Sequence, residues 1–323
     1  MEERKMNEDD IRVPVYLVTG FLEGGKTTFL RFTIAQDYFK IDEPTLLIVT
    51  EEGLEEYDEK ELLRNNTVMT VIENKEELTY ETLVKLERKY RPSRVLVEFN
   101  PFWSVAAFEE MKMPDGWGIV QEIVNVDASC FQVYMQNMKS LFVEMAKNAD
   151  MVTFNRCTDD LPLANFRRSI KVVNPGCEVL FEDMNNELTD IFEDSVPYDL
   201  DAPVINIDDV DFGIFYVDAG ENKERYDGKK IHFKGKVLKS RKPGADYFVA
   251  GRRAMTCCAD DTAFIGYVCK WKDSKKLTQG EWVEVDAEVA YRELKIYDGE
   301  GPVFYVTAVR PSEAPEHELV YFS

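Results

Sequence analysis

Residues 20 to 27 read Gly20-Phe-Leu-Glu-Gly-Gly-Lys-Thr27, the full pattern GxxxxGK[ST]. An apolar run, Val13–Thr19, precedes it and reads as a β strand, while Thr28–Gln36 can coil as an amphipathic helix. Strand, glycine-rich turn and helix form the context in which this pattern cradles a phosphate. Glycines let successive backbone N–H groups curl round the anion, and the helix N-terminus adds its positive dipole end. Lys26 is placed to reach the β- and γ-phosphates and Thr27 to bind Mg²⁺. Gly20, Glu23, Gly24, Gly25, Lys26, Thr27 and Thr28 are therefore the expected nucleotide-binding residues.

Such a loop needs a parallel sheet around it, and the chain supplies the strands. Thr45–Thr50, Val95–Phe99, Ile119–Asp127, Met151–Asn155 and Glu178–Phe181 read as further strands. Helical patterns lie between them, at Glu76–Arg91, Phe131–Ala149 and Leu163–Val172. This alternation predicts a doubly wound, mostly parallel α/β sheet of the P-loop NTPase class, with ligands at the carboxyl ends of the strands.

From about Asp211 the texture changes to short strand-like pieces, Lys230–Leu238, Tyr247–Gly251, Thr262–Cys269, Trp282–Tyr291, Leu294–Tyr297 and Val303–Val309. These predict a smaller all-β domain of OB-like barrel form. The expected division is a tail at 1–11, a nucleotide domain at 12–204, a linker at 205–227 and a barrel at 228–323. Charge follows that division. The net charge of −22 gathers in residues 1–222, at −24, whereas 223–323 carries +2. An acidic body argues against nucleic acid as a partner. No apolar run is long enough to span a bilayer, and the charged N-terminus is not a signal peptide, so a cytoplasmic protein is expected. The six cysteines are expected as thiols rather than as a disulfide framework.

Pro14-Val-Tyr-Leu-Val-Thr-Gly-Phe-Leu-Glu-Gly-Gly-Lys-Thr-Thr-Phe-Leu30 resembles the opening of the CobW-type GTPases, relatives of HypB and UreG. The resemblance runs over about residues 12–182. Ile48-Val-Thr-Glu-Glu-Gly53 sits at the family's first switch. Glu98 sits at its second acidic strand, Val124-Asn-Val-Asp-Ala128 at its VVDA strand, and Asn155 at its guanine-reading NKxD site. The resemblance implies GTP with Mg²⁺ as cofactor and slow hydrolysis coupled to metal homeostasis or metallocofactor assembly. It also implies a metalloprotein client or transporter component as partner. In that scheme Lys26 and Glu98 are catalytic, Thr27 and Glu98 hold Mg²⁺ with Glu51 or Glu52 nearby, and Asn155 and Asp159 contact the base.

Departures from the pattern matter. No cysteine stands where the family has CxCC; Thr67, Met69 and Thr70 take those places, and hydroxyls with one thioether suit zinc poorly. The base-reading segment is Asn155-Arg-Cys-Thr-Asp159, with Thr158 at the expected aspartate and Asp159 one residue late, which leaves ATP open as the nucleotide. Pro101 replaces the mobile second-switch pattern with a stiffer one.

The barrel carries Cys257-Cys258 followed by Asp260 and Asp261. With Cys269 and His232 these are candidate ligands for Zn²⁺ or another transition metal, against the plainer reading of buried packing thiols. Arg253-Ala-Met-Thr-Cys-Cys-Ala-Asp260 resembles the core of a domain found in bacterial permease-associated proteins. Arg252 and Arg253 read as a solvated strand end or an anion grip. The alternative to a metal-handling GTPase is a nucleotide-switched protein-binding module with little hydrolysis and no metal role.

Overall fold

The computed structural model describes residues 10–51, 53–185, 187–189, 196–239, 246–255, 262–297 and 299–320. The chain forms two compact units, Met1–Ile191 and Phe192–Ser323.

In the first unit seven strands form one parallel sheet in the order β3-β2-β4-β1-β5-β6-β7. They are β1 (Val13–Thr19), β2 (Thr45–Val49), β3 (Thr67–Val71), β4 (Arg94–Glu98), β5 (Trp117–Asp127), β6 (Met151–Asn155) and β7 (Glu178–Phe181). The helices are α1 (Lys26–Ala35), α2 (Glu59–Arg64), α3 (Tyr80–Tyr90), α4 (Val105–Glu109), α5 (Phe131–Asn137), α6 (Lys139–Ala146) and α7 (Leu163–Val173). The central strands are apolar on both faces because helices cover both. Val18, Leu47 and Leu96 pack with Leu30 and Ile34 of α1 and Leu62 of α2. Leu17, Val97 and Val124 face the other way, against Phe108, Phe142 and Ile170 of α4, α6 and α7. The single helix expected over Phe131–Ala149 is two, α5 and α6, broken at Met138. There the Asn137 side chain takes the Val133 carbonyl, a local bond that competes with the helix.

The second unit is mostly β. It begins with β8 (Ile205–Asn206), α8 (Phe212–Glu221) and α9 (Lys223–Tyr226). Strands β9 (Lys230–Lys239), β10 (Tyr247–Met255), β11 (Thr262–Lys270), β12 (Trp282–Leu294), β13 (Gly299–Pro311) and β14 (Leu319–Val320) follow. Pairings run β9–β10–β11–β13–β12 and back to β9, antiparallel except for β11–β13. Five strands thus pair in a closed ring. The separate strand expected at Leu294–Tyr297 is absent; β12 runs unbroken to Leu294 and a turn follows.

The expected linker over 205–227 is a further correction, since the second unit starts at Phe192 and takes this stretch in. The reason is apolar: Phe212 and Phe215 are fully buried, with Phe215 ring-to-ring against Phe233 at 5.7 Å, Tyr267 at 5.9 Å and Phe304 at 6.0 Å. Arg252 is likewise not a solvated strand end. It is 1% exposed, and its guanidinium donates to the Asp209 carboxylate and to the Asp209 carbonyl at 2.8 Å.

Candidate nucleotide site

Six strand ends of the first unit carry the site. Gly20 follows β1, Glu51 lies two residues past β2, and Glu98 ends β4. Asp127 ends β5, Asn155 ends β6, and Glu182 follows β7. A parallel sheet delivers all of these to one edge, where α1 also begins.

Gly25 is the N-cap of α1 at φ 94°, a left-handed conformation that disfavours any side chain. A Cβ there would meet Asn155 Nδ2 at 2.5 Å. That nitrogen donates to the Gly24 carbonyl at 2.8 Å, so Asn155 pins the loop from β6.

Lys26 is only 4% exposed, and its ammonium donates to the carbonyls of Gly20 at 2.8 Å and Phe21 at 3.0 Å. Its third partner is the Glu51 carboxylate at 2.7 Å. Thr27 Oγ1 donates to Glu98 Oε1 at 2.9 Å, and the Tyr57 hydroxyl donates to Glu98 Oε2. Burial lifts the Glu98 carboxyl above its ordinary range, opposed by the hydrogen bonds from Tyr57 and Thr27. Burial and the neighbouring Glu98 charge also push the Tyr57 hydroxyl well up.

Lys26, Thr27, Glu51 and Glu98 line a cleft with about 340 Å³ of solvent-connected space, together with Glu23, Thr28, Glu55 and Arg156. Glu23 and Arg156 both hold positive φ, 60° and 56°. Glu23 Oε1 accepts from Leu54 N at 2.9 Å, tying the loop to the segment after β2. Arg156 donates to Asp127 at 2.7 Å and to the Glu23 carbonyl at 3.2 Å.

Of the expected phosphate-side residues, Glu23, Gly25, Lys26, Thr27, Thr28, Glu51 and Glu98 line this cleft, and Gly20 and Gly24 belong to the same loop; Glu52 lies outside the described residues. Asp159 does not join them. It stands exposed in a turn, while Thr158 Oγ1 donates to Asp160 at 2.6 Å. Cys157 is buried against the Phe154 carbonyl at 3.5 Å, and burial raises its thiol to about 11. Tyr57 and Glu182 bear no mark in the sequence, because the fold alone brings them to the site. Arg156 could have been found as the neighbour of Asn155.

The expected thiolate site fares differently. Cys257 and Cys258 lie outside the described residues. Cys269 and His232 fall on opposite faces of the barrel wall. Cys269 is fully buried with its Sγ on the Tyr267 carbonyl at 3.6 Å, and burial pushes the thiol up to about 12. His232 alternates with buried Ile231 and Phe233, and its Nδ1 pairs with Asp286 at 2.7 Å. Among the described residues no group of three or more His, Cys, Asp and Glu could hold a metal ion. None of the described helices is long and apolar enough to cross a membrane.

Sheet order, loop and strand-end residues together define a P-loop NTPase domain. The family described as the DUF1980 C-terminal domain matches residues 185–322, covering the second unit and the end of the first. No curated protein matches the chain. Among solved structures, the hydrogenase maturation factor HypB from Archaeoglobus fulgidus is similar at 16% identity and TM-score 0.39, over 55% of this chain and 83% of that one. The zinc-bound YjiA GTPase from E. coli is similar at 14% identity and TM-score 0.38, over 95% and 90%. A zinc-bound triple mutant of YjiA gives 14% and 0.41, over 84% and 97%. With scores this low, the fold assignment rests on the strand order and the loop instead.

Proposed function

We propose that the first unit binds GTP with Mg²⁺ and hydrolyses it slowly, and that the cycle serves metal homeostasis or metallocofactor assembly. The observation that carries the nucleotide reading is the convergence of buried Lys26, the Thr27 hydroxyl and the Glu98 carboxylate at the mouth of one loop. The donor set of Thr27, Glu98 and Glu51 consists of hard oxygens, which fits Mg²⁺. Bound by these residues, Mg²⁺ would supply charge neutralisation to the phosphates.

The protein's own residues do the rest. Gly25 and Lys26 offer backbone N–H groups at the start of α1, where the dipole also favours an anion, while the Gly24 N–H is held by the Phe21 carbonyl at 2.9 Å. Lys26 exchanges the Glu51 carboxylate for a phosphate oxygen and stabilises the charge that develops as the phosphoryl group leaves. Glu98 is positioned beside Thr27 to hold the metal or orient the attacking water. Lys26→Ala should reduce turnover at least a hundredfold; a variant hydrolysing GTP at the wild-type rate rules the enzyme out.

Metal handling is supported by the CobW-type sequence pattern and by Cys257 and Cys258. Protein purified without a tag is expected to carry near-stoichiometric Zn²⁺ or another transition metal, lost in the Cys257→Ser/Cys258→Ser double variant. Absence of metal in both proteins, even after anaerobic loading, returns these thiols to packing.

One observation favours the second reading, a switched binding module with little hydrolysis. Pro101 opens a short 3-10 turn capped by Asn100, whose own N–H is held by Thr50 Oγ1 at 2.8 Å. A segment fixed so firmly moves little with the γ-phosphate. Single-turnover hydrolysis separates the two readings: tight GTP binding with no phosphate release supports the module.

A further inference from the structure

A second cleft adjoins the phosphate cleft, shares Gly25, Thr28 and Arg156 with it, and holds about 460 Å³ of solvent-connected space. With phosphates on the loop, this neighbouring space is where the base of a nucleotide falls.

We propose that Glu182 selects the base here, accepting hydrogen bonds from guanine N1–H and the exocyclic N2 amino group. The inference rests on the nucleotide-binding reading and adds to it the residue that discriminates.

Three observations converge. First, Glu182 is the one carboxylate among the described residues lining the cleft. The backbone holds it firmly: Glu182 N donates to the Phe154 carbonyl at 2.8 Å, and its own carbonyl accepts from Cys157 N at 2.9 Å. These bonds staple the ends of β6 and β7 and set Glu182 beside Asn155. Among the described residues its carboxylate has no hydrogen-bond or ionic partner. Burial, and then the nearby Asp183, raise its pKa, as expected for a carboxylate lacking donors.

Second, Asn155 and Asn125 line the same cleft at 6% and 1% exposure, and each has a buried Oδ1 with no hydrogen-bond partner. Buried acceptors without donors are costly and mark places where a ligand completes the bonding. Beside Arg156, whose Nη1 is held by Asp127 and the Glu23 carbonyl, the cleft residues therefore carry three acceptor groups without donors: the Glu182 carboxylate and the two amide oxygens. Guanine's N1–H and N2 amino group form a donor edge that a carboxylate can take up in a pair of bonds, whereas adenine turns an N1 acceptor to the same place. A site built to accept those bonds rejects the base that lacks them.

Third, the segment expected to do this work does not reach. Asp159 stands in an exposed turn outside the cleft lining, and the Thr158 hydroxyl is spent on Asp160.

The test titrates fluorescent guanosine, xanthosine and adenosine diphosphates with Mg²⁺ into the full chain, in wild type, Glu182→Gln and Asp159→Asn. Wild type is expected to prefer guanosine over adenosine. Glu182→Gln should lose about tenfold or more in guanosine affinity and gain for xanthosine, because the amide N–H₂ can donate to the 2-oxo group. A gain of that kind cannot come from misfolding. Asp159→Asn should leave the ranking intact. An unchanged guanosine preference in Glu182→Gln, or a ranking that inverts in Asp159→Asn instead, overturns the assignment while leaving nucleotide binding standing. A wild type without preference for guanosine also overturns it. Failure of every nucleotide to bind wild type removes the nucleotide reading itself.

Discussion

Glu98 sits where its charge is least welcome. It is 3% exposed at the end of a fully buried strand, and two hydroxyl donors do not bring its pKa back to the ordinary 4.5. A carboxyl whose folded pKa is raised stabilises the fold when protonated. That contribution is full below the unfolded value and is lost as pH rises through the folded one. Once ionised, Glu98 is thus a local burden on the nucleotide-free protein, retained for the cation it would hold. Glu98→Gln keeps the shape and removes the charge. We expect it to raise the Tm of nucleotide-free protein at pH 7 by about 2–4 °C, a gain near 1 kcal/mol, while abolishing Mg²⁺-dependent turnover. The stability difference should shrink as pH falls through the folded value and vanish only well below 4.5, where the wild-type carboxyl is protonated in both states. Thermal melts of both proteins across that range check it; a variant less stable than wild type at pH 7 contradicts the account.

At the scale of the loop between β1 and α1, the feature to explain is Glu23. It takes φ 60°, a conformation that favours glycine, and adds a carboxylate to a cleft already lined by Glu51, Glu55 and Glu98. Its compensation is the bond to Leu54 N, which clasps the first-switch segment to the loop. Glu23→Gly relieves the left-handed strain, removes one negative charge facing the phosphates and releases the clasp. Tighter binding of nucleotide, by about tenfold, is the expected result of titrating GDP with Mg²⁺ into the variant. Equal or weaker binding would show that the clasp itself organises the site. The loop was legible in the sequence because glycine, lysine and threonine at fixed spacing serve only a few purposes. The buried strands were legible as apolar runs. Strand β3 was not, since Thr67-Val-Met-Thr-Val71 is an edge strand that is only partly buried and alternates weakly. Tyr57 and Glu182 were hidden for another reason: they meet Glu98 and Asn155 only because the fold brings together segments far apart in sequence, which no local pattern records.

For the whole molecule, the division into units follows buried apolar surface rather than composition. The sequence marked a change of texture near Asp211, and the charge balance placed a border nearby. The structural border falls at Phe192, because Phe212 and Phe215 of α8 fill the barrel that β9–β13 close. Asp209 lies on the same early stretch and neutralises buried Arg252 of β10. A fragment 228–323 keeps all five barrel strands and loses these three side chains. Each missing phenylalanine costs about 3–5 kcal/mol. Arg252 left without Asp209 costs a similar amount, about 3–5 kcal/mol. Together these approach the whole stability of an ordinary domain, about 5–15 kcal/mol. A fragment 192–323 should therefore unfold in urea as a single cooperative transition, whereas 228–323 should show none and should bind a dye that reports exposed apolar surface. If 228–323 unfolds cooperatively at the same midpoint, α8 is an ornament on a self-sufficient barrel, and the second unit begins where its texture first changes.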